Sequence, residues 1–142
     1  MKVTVITDAS FCPDTKGAGW AAWVTPDEGK RIKKYGRFKR DPKDSGQAEL
    51  WALLNGIAIA CQAGAKLIYA QSDCQQALDH INNHPDKVWQ ALALAKITAR
   101  PSIITIHVKG HTRRSGARYW VNRWCDSAAG VVMKEVRKER TT

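Results

Sequence analysis

Two short apolar runs, KVTVIT at residues 2–7 and KLIYAQS at residues 66–72, each lead directly into an aspartate, Asp8 and Asp73. Val3 and Val5 alternate with polar positions before Ile6, and the second run is mostly apolar, so both read as core strands. A carboxylate at the carboxyl end of a core strand narrows the choice of fold, because open α/β sheets hold their ligands there. Two further acids fall where the pattern changes. Glu49 opens an amphipathic helix, and Asp126 lies within the last long one.

The remaining punctuation gives the order β, β, β, α, β, α, α, β, α. GWAAWVT (19–25) and KRIKKYGRF (30–38) are joined by a turn containing Pro26, Asp27, Glu28 and Gly29, which predicts an antiparallel pair. Leu50, Leu53, Leu54, Ile57, Ala58 and Cys61 keep helical spacing until Gly64 ends the helix. CQQALDHI (74–81) reads as a short helix closed by Asn82-Asn83-His84-Pro85, and a further helix runs from about residue 86 to residue 100, stopped by Pro101. ITIHV (104–108) supplies the fifth strand. In the last helix Val121, Cys125, Ala128, Ala129, Val132 and Val136 share one face, with Asp126 at its edge. No repeat, low-complexity segment or linker interrupts the pattern, and 142 residues are one domain's worth, so residues 1–142 are expected to form a single domain.

The formal charge of +10 exceeds what solubility requires and points to a polyanionic partner. Cys12, Cys61, Cys74 and Cys125 form no CxxC pair and no zinc spacing, so they read as small buried residues or free thiols in a reducing compartment. No apolar run reaches the roughly 18 residues of a membrane span, and the amino terminus enters a strand without a charged leader. A cytoplasmic protein without membrane contact is the expectation.

Five segments, ITDAS around Asp8, GQAELWALLNGI around Glu49, YAQSD around Asp73, VKGHT around His111 and NRWCDSAAG around Asp126, resemble the type 1 ribonucleases H in order and spacing over nearly the whole chain. The resemblance implies an α/β, ribonuclease H-like fold: a five-stranded mixed sheet with helices on both faces. Asp8 would lie on the central strand, with Glu49, Asp73 and Asp126 converging on it. Carboxylates gathered that closely repel one another, and divalent cations remove the conflict. Hard oxygen ligands suit two Mg²⁺ ions, for which Mn²⁺ can substitute. Metals about 4 Å apart activate water on one side of a phosphodiester and stabilise the leaving oxygen on the other. The family's division of labour has Asp8 bridging both metals, Asp73 completing the nucleophile side, Glu49 and Asp126 holding the leaving-group side, and His111 assisting proton movement and product departure.

Blander readings stand beside these. Glu49 can be a first-turn acid near the helix dipole, Asp73 an N-cap, and His111 a surface-loop histidine. His80, His84 and His107 have no comparable setting and read as structural or solvent-facing. Trp20, Trp23, Trp51 and Trp89 fit the core, whereas Trp120 and Trp124 are ambiguous.

Substrate recognition departs from the family. Asp8-Ala9-Ser10 replaces the common Asp-Gly-Ser, and Ser45-Gly46 stands where two asparagines often precede the Gln-Ala-Glu triplet. Ser10, Ser45, Gly46 and Gln47 are therefore the candidates for strand contact. The basic protrusion of many bacterial members is missing. Two basic stretches can replace it: the loop 112–120, with Arg113, Arg114 and Arg118, and residues 30–43, which can equally be a solvated charged strand. The resemblance implies a monomeric endonuclease that cleaves the RNA strand of an RNA–DNA hybrid, leaving 5′-phosphate and 3′-hydroxyl ends. A Holliday-junction resolvase acting on branched DNA is the alternative on the same fold. Replacing Arg113, Arg114 and Arg118 together is expected to weaken nucleic-acid binding and flatten its salt dependence; an unchanged salt slope clears that loop.

Overall fold

The structure is a computed structural model that describes residues 1–108 and 117–141, without the side chains of residues 117–119. Strands β1 (Lys2–Phe11), β2 (Ala18–Pro26) and β3 (Ile32–Gly36) precede helix α1 (Ser45–Gln62). Strand β4 (Leu67–Ser72), helices α2 (Gln75–Asn83) and α3 (Pro85–Leu94), strand β5 (Ser102–His107) and helix α4 (Ala117–Thr141) follow. This is the expected order of elements. The strands form one mixed sheet, β3-β2-β1-β4-β5, with β1 at its centre. Neighbours β1, β2 and β3 run antiparallel, while β4 and β5 run parallel to β1.

Alternation along the strands divides the core in two. Val3 and Val5 of β1, Ala22 and Val24 of β2, and Ile68 and Ala70 of β4 meet Leu53, Ile57 and Ala60 of α1, and the same cluster takes in Leu78 and Ile81 of α2 and Val88 and Leu92 of α3. On the opposite face, Ile6 and Ala21 pack with Cys125 and Ala129 of α4. Helices on both faces account for the apolar content of the central strands. Among the described residues, no helix is long and apolar enough to cross a membrane.

Both helices come unusually close to the sheet. A Cβ on Gly56 of α1 would lie 2.6 Å from Thr7 Cγ2 and from Val5 Cγ1, and one on Gly19 of β2 would collide with the backbone of α4 at Ala129. Close approach also turns α1 relative to the expected face. Ala48, Ala52 and Gly56 are buried with Leu53 and Ile57, whereas Leu50, Leu54 and Ala58 are only half-buried along the flanks.

Several boundaries differ from those read in the sequence. Helix α1 begins at Ser45 rather than at Glu49, because Asp44 caps it: Asp44 Oδ1 accepts from the Gln47 amide at 2.8 Å. Its end is as expected, with Gly64 left-handed at φ 96° and the Ala65 amide donating back to the Ala60 carbonyl. Helix α3 stops at Leu94, well short of Pro101, because Lys96 adopts the left-handed turn (φ 62°) that closes it through Ile97 N–H to the Leu92 carbonyl. Helix α4 begins at Ala117, so the anticipated loop 112–120 loses its last four residues to helix. The four tryptophans assigned to the core are each half-buried at its margins, where their ring N–H or π face stays reachable; Trp20 Nε1, for example, donates to the Arg37 carbonyl.

Two glycine substitutions separate close packing from helix propensity. Gly56→Ala is expected to lower stability by about 1–3 kcal/mol through overpacking against Val5 and Thr7. Gly130→Ala, in α4 with nothing within 4 Å of the new methyl group, is expected to raise it by roughly 0.5–1 kcal/mol. Urea denaturation of the two variants measures both, and equal shifts of the same sign would contradict the packing argument.

Candidate active site

Asp8 does not end its strand. The parallel pairing of β1 with β4 stops at Ile6↔Gln71, whereas the antiparallel pairing with β2 continues through Asp8↔Ala21 to Phe11↔Ala18. Asp8 thus sits just beyond the carboxyl end of the parallel part of the sheet, on a strand still held from one side. Carrying the β1–β4 register two residues further sets Asp73 opposite Asp8, with both side chains on the α4 face. The apolar pairs Val3↔Ile68 and Val5↔Ala70 fix that register, since a one-residue slip would turn them out of the core.

Glu49 reaches the same place from α1. The Ala9 amide donates to Asp8 Oδ1 at 2.9 Å and to Glu49 Oε1 at 3.2 Å, tying the two carboxylates to one backbone group. Because that donor is main chain, it is indifferent to alanine standing where the family commonly has glycine. Glu49 lies beyond the first turn of α1, so the helix-dipole reading of this residue falls away.

Asp73 lies in the turn from β4 into α2. It is not the N-cap; Cys74 holds that position and offers no side-chain cap. The turn is shaped by Ser72, whose buried hydroxyl accepts from the Cys74 amide at 3.1 Å. From β5, the Val108 amide donates to the Ser72 carbonyl and His107 Nε2 lies 3.1 Å from the Asp73 carbonyl, on which a ring N–H would donate. Ser72 and His107 are the positioning residues that the sequence reading did not single out. A serine two residues ahead of a helix N-cap is a turn signal that identifies the first. Only strand pairing, Ser72↔His107, reveals the second.

One carboxylate oxygen from each of Asp8, Glu49 and Asp73 lies within 4.8 Å of the others, and all three residues are half-buried. Burial pushes the Asp8 carboxyl up from 3.8 to about 7, with the charges of Asp73 and Asp126 adding to the effect and its contact with Glu49 opposing it. Burial likewise raises Glu49 from 4.5 to about 10, reinforced by the charges of Asp8 and Asp73. Among the described residues no Lys or Arg forms an ion pair with Asp8 or Glu49. Glu49 Oε2 is buried and has no hydrogen-bond partner among them.

Asp126 stands apart from the gathered three. It is exposed on α4, one residue past Cys125, whose thiol donates to the Ile6 carbonyl at 3.6 Å and fastens the helix to β1. Its charge still raises the Asp8 pKa. The sequence places Asp126 at the edge of the apolar face, and the 100° advance from Cys125 carries it from that edge into solvent. Burial keeps the Cys125 thiol protonated.

Of the other candidates, Ser10 is half-buried on β1 opposite Gly19, and Ser45 is exposed at the start of α1. Gly46 faces Gln76 of α2, whose Oε1 would lie 3.3 Å from an added Cβ. Gln47 Oε1 accepts from the Lys43 amide at 2.8 Å, which fastens its side chain to the turn ahead of α1. His111, Arg113 and Arg114 fall outside the described residues, as does the side chain of Arg118.

Comparison with known proteins agrees with this fold. A family model described as reverse transcriptase-like matches residues 7–98. No curated protein matches the chain significantly in sequence. Among solved structures, the chain is similar to RNase H1 from the halophilic archaeon Halobacterium salinarum NRC-1, with TM-score 0.67 and 17% identity over 95% of this chain and 99% of that one. The N-terminal RNase H domain of a Mycobacterium tuberculosis protein matches with TM-score 0.67 and 22% identity over 97% of each chain. LC11-RNase H1, solved in complex with an RNA/DNA hybrid, matches with TM-score 0.65 and 14% identity over 94% of this chain and 97% of that one. With β1 central and three acids gathered at the end of its parallel pairing, the chain belongs to the reverse transcriptase-like family and has the fold of the type 1 ribonucleases H.

Proposed function

We propose that this protein is a metal-dependent endonuclease that hydrolyses the RNA strand of RNA–DNA hybrids, leaving 5′-phosphate and 3′-hydroxyl ends. The observation that carries the reading is the triad of Asp8, Glu49 and Asp73, brought within 4.8 Å although burial already opposes the ionisation of Asp8 and Glu49. An all-oxygen donor set with one buried, unpartnered carboxylate oxygen fits a hard divalent cation such as Mg²⁺ or Mn²⁺, and lacks the sulfur and nitrogen ligands typical of zinc. The hybrid bound by LC11-RNase H1 supports the substrate class.

In this reading Asp8, Glu49, Asp73 and Asp126 would together hold two Mg²⁺ ions. Asp8 would be a ligand common to both, Asp73 would serve the side where water attacks, and Glu49 with Asp126 would serve the leaving-group side. The exposure of Asp126 suits a ligand that engages when substrate arrives. Bound there, the ions would supply the Lewis acidity that lowers the pKa of a ligated water and offsets charge on the leaving oxygen. The Ala9 amide keeps Asp8 and Glu49 oriented, and the Ser72–His107 scaffold holds the backbone at Asp73. His111 would carry a proton on the leaving side, and Ser10, Ser45, Gly46 and Gln47 would contact the substrate strand. Arg113, Arg114 and Arg118 would hold phosphates nearby.

Hybrid, duplex RNA, duplex DNA and four-way junction, presented as labelled oligonucleotides with Mg²⁺, test the substrate. RNA in the hybrid should be cut and the junction spared; efficient junction cleavage with intact hybrid would transfer the assignment to the DNA endonuclease. Asp8→Asn is expected to reduce turnover by at least roughly a hundredfold while the far-ultraviolet circular dichroism stays unchanged.

Metal-free stability supplies an independent check. Asp8 and Glu49 have folded-state pKa values above their ordinary ones, so the folded protein binds more protons than the unfolded chain between about pH 4 and the raised values. The stability is fully present below pH 4 and is lost as pH rises through about 7 and beyond. Tm in EDTA should accordingly fall between pH 5 and pH 8, and Mg²⁺ should restore it chiefly at the upper end. Glu49→Gln should flatten the slope. A Tm insensitive to both pH and Mg²⁺ over that interval would remove the electrostatic basis of the site.

A further inference from the structure

We propose that the surface formed by β3 and the first turns of α4 binds an unpaired nucleic-acid segment flanking the duplex at the acids. The proposal rests on the nuclease reading for its context, but its observations are separate. Trp23 and Trp124 meet edge to face at 5.5 Å, and Tyr35 meets Trp124 in the same way at 6.2 Å. Trp120 stands one turn before Trp124 on α4. It is 72% exposed and Tyr35 is 61% exposed, large values for aromatic side chains beside a packed core.

Cations lie over these rings. Arg31 is 5.4 Å from the Trp23 centroid, and the Lys33 ammonium lies 5.1 Å from Trp23 and 5.7 Å from Trp124. Neither Arg31 nor Lys33 has a carboxylate partner among the described residues, whereas the nearby Arg37 and Arg140 are paired with Glu139 and Asp41. Residues 30–40 include seven Lys and Arg and no acid. A surface that offers aromatic faces and free cations together meets both parts of a nucleotide, the base by stacking and the phosphate by charge. Duplex bases hide their faces, so such a surface selects an unpaired strand. Acidic peptides would use the cations and leave the exposed rings idle.

Position ties the surface to the acids. Asp8, Ala21 and Tyr35 form one row across β1, β2 and β3, which puts Tyr35 about 10 Å from Asp8 on the same face of the sheet. Trp124 lies two residues before Asp126. A strand leaving the duplex at the acids would pass over this face within two or three nucleotides.

The test uses a fluorescein-labelled 12-nucleotide deoxythymidine oligomer with the whole protein in EDTA, read by anisotropy and by quenching of tryptophan emission. Binding should quench the emission, and the double substitution Lys33→Ser with Tyr35→Ala should weaken it by about tenfold and make the logarithmic salt slope shallower by about one. With Mg²⁺, the ratio of kcat/KM for a hybrid bearing a single-stranded tail to that for a blunt hybrid should exceed one in the wild type and fall toward one in the variant. Unquenched emission, equal affinity in wild type and variant, or polyglutamate of matched charge quenching as strongly as the oligonucleotide would each overturn the proposal. Quenching and anisotropy of the wild type alone decide the matter if the variant misfolds. Strand binding without hybrid cleavage would leave this surface standing and sink the nuclease reading; hybrid cleavage without strand binding would do the reverse.

Discussion

Three carboxylates held within 4.8 Å repel one another, and the rest of the molecule is arranged to withstand that repulsion. At an effective dielectric near 20, two full charges at this separation cost roughly 3–4 kcal/mol, comparable to a sizeable part of a small domain's stability. Three such contacts can persist only where the backbone is fixed by interactions that do not involve the acids themselves. The apolar register of β1 against β4 provides one such restraint, the close seating of α1 on β1 at Gly56 a second, and the ties from β5 to Ser72 and Asp73 a third. Protonation relieves the remaining strain in the absence of cations, and this is why Asp8 and Glu49 titrate so far above ordinary carboxylates.

The two faces of the sheet divide the work. Beneath the face covered by α1, α2 and α3 lies the larger core, which carries most of the apolar burial and sets the register. Opposite lies the smaller cluster under α4, just large enough to dock that helix through Cys125 and Ala129. Beside this smaller cluster sit Asp8, the exposed Asp126 and the aromatic-basic surface of β3 and α4, while Glu49 reaches in from α1 beyond the end of the parallel pairing. The site thus opens at the margin of the sheet rather than within the larger core, where charged side chains would cost more.

Exposed ion pairs play a secondary part. Arg37 with Glu139 and Arg140 with Asp41 connect the end of α4 to the segment between β3 and α1. Pairs this open contribute little energy. Their effect is to remove four charges from the competition for a ligand, leaving Arg31 and Lys33, which have no carboxylate partner among the described residues, beside their aromatic neighbours.

The order of elements, the strand bearing Asp8, the strand that leads into Asp73, and the helix carrying Glu49 were all determined by local patterns: alternation of apolar residues, helical spacing, and Gly or Pro punctuation. Such patterns act over a few residues and so survive in the linear sequence. The start of α1 is local as well, since Asp44 caps the Gln47 amide three residues on, although the apolar periodicity alone pointed to Glu49. Tertiary structure alone decided which residues of α1 face the sheet, because Gly56 and the small alanines admit a closer approach than the leucines do. It also decided that Asp126 stays exposed while the other three acids gather, and that Tyr35 stands in the same row as Asp8. Those relations depend on strand pairing and helix rotation between residues far apart in the chain, and no local signal encodes a distance of that kind.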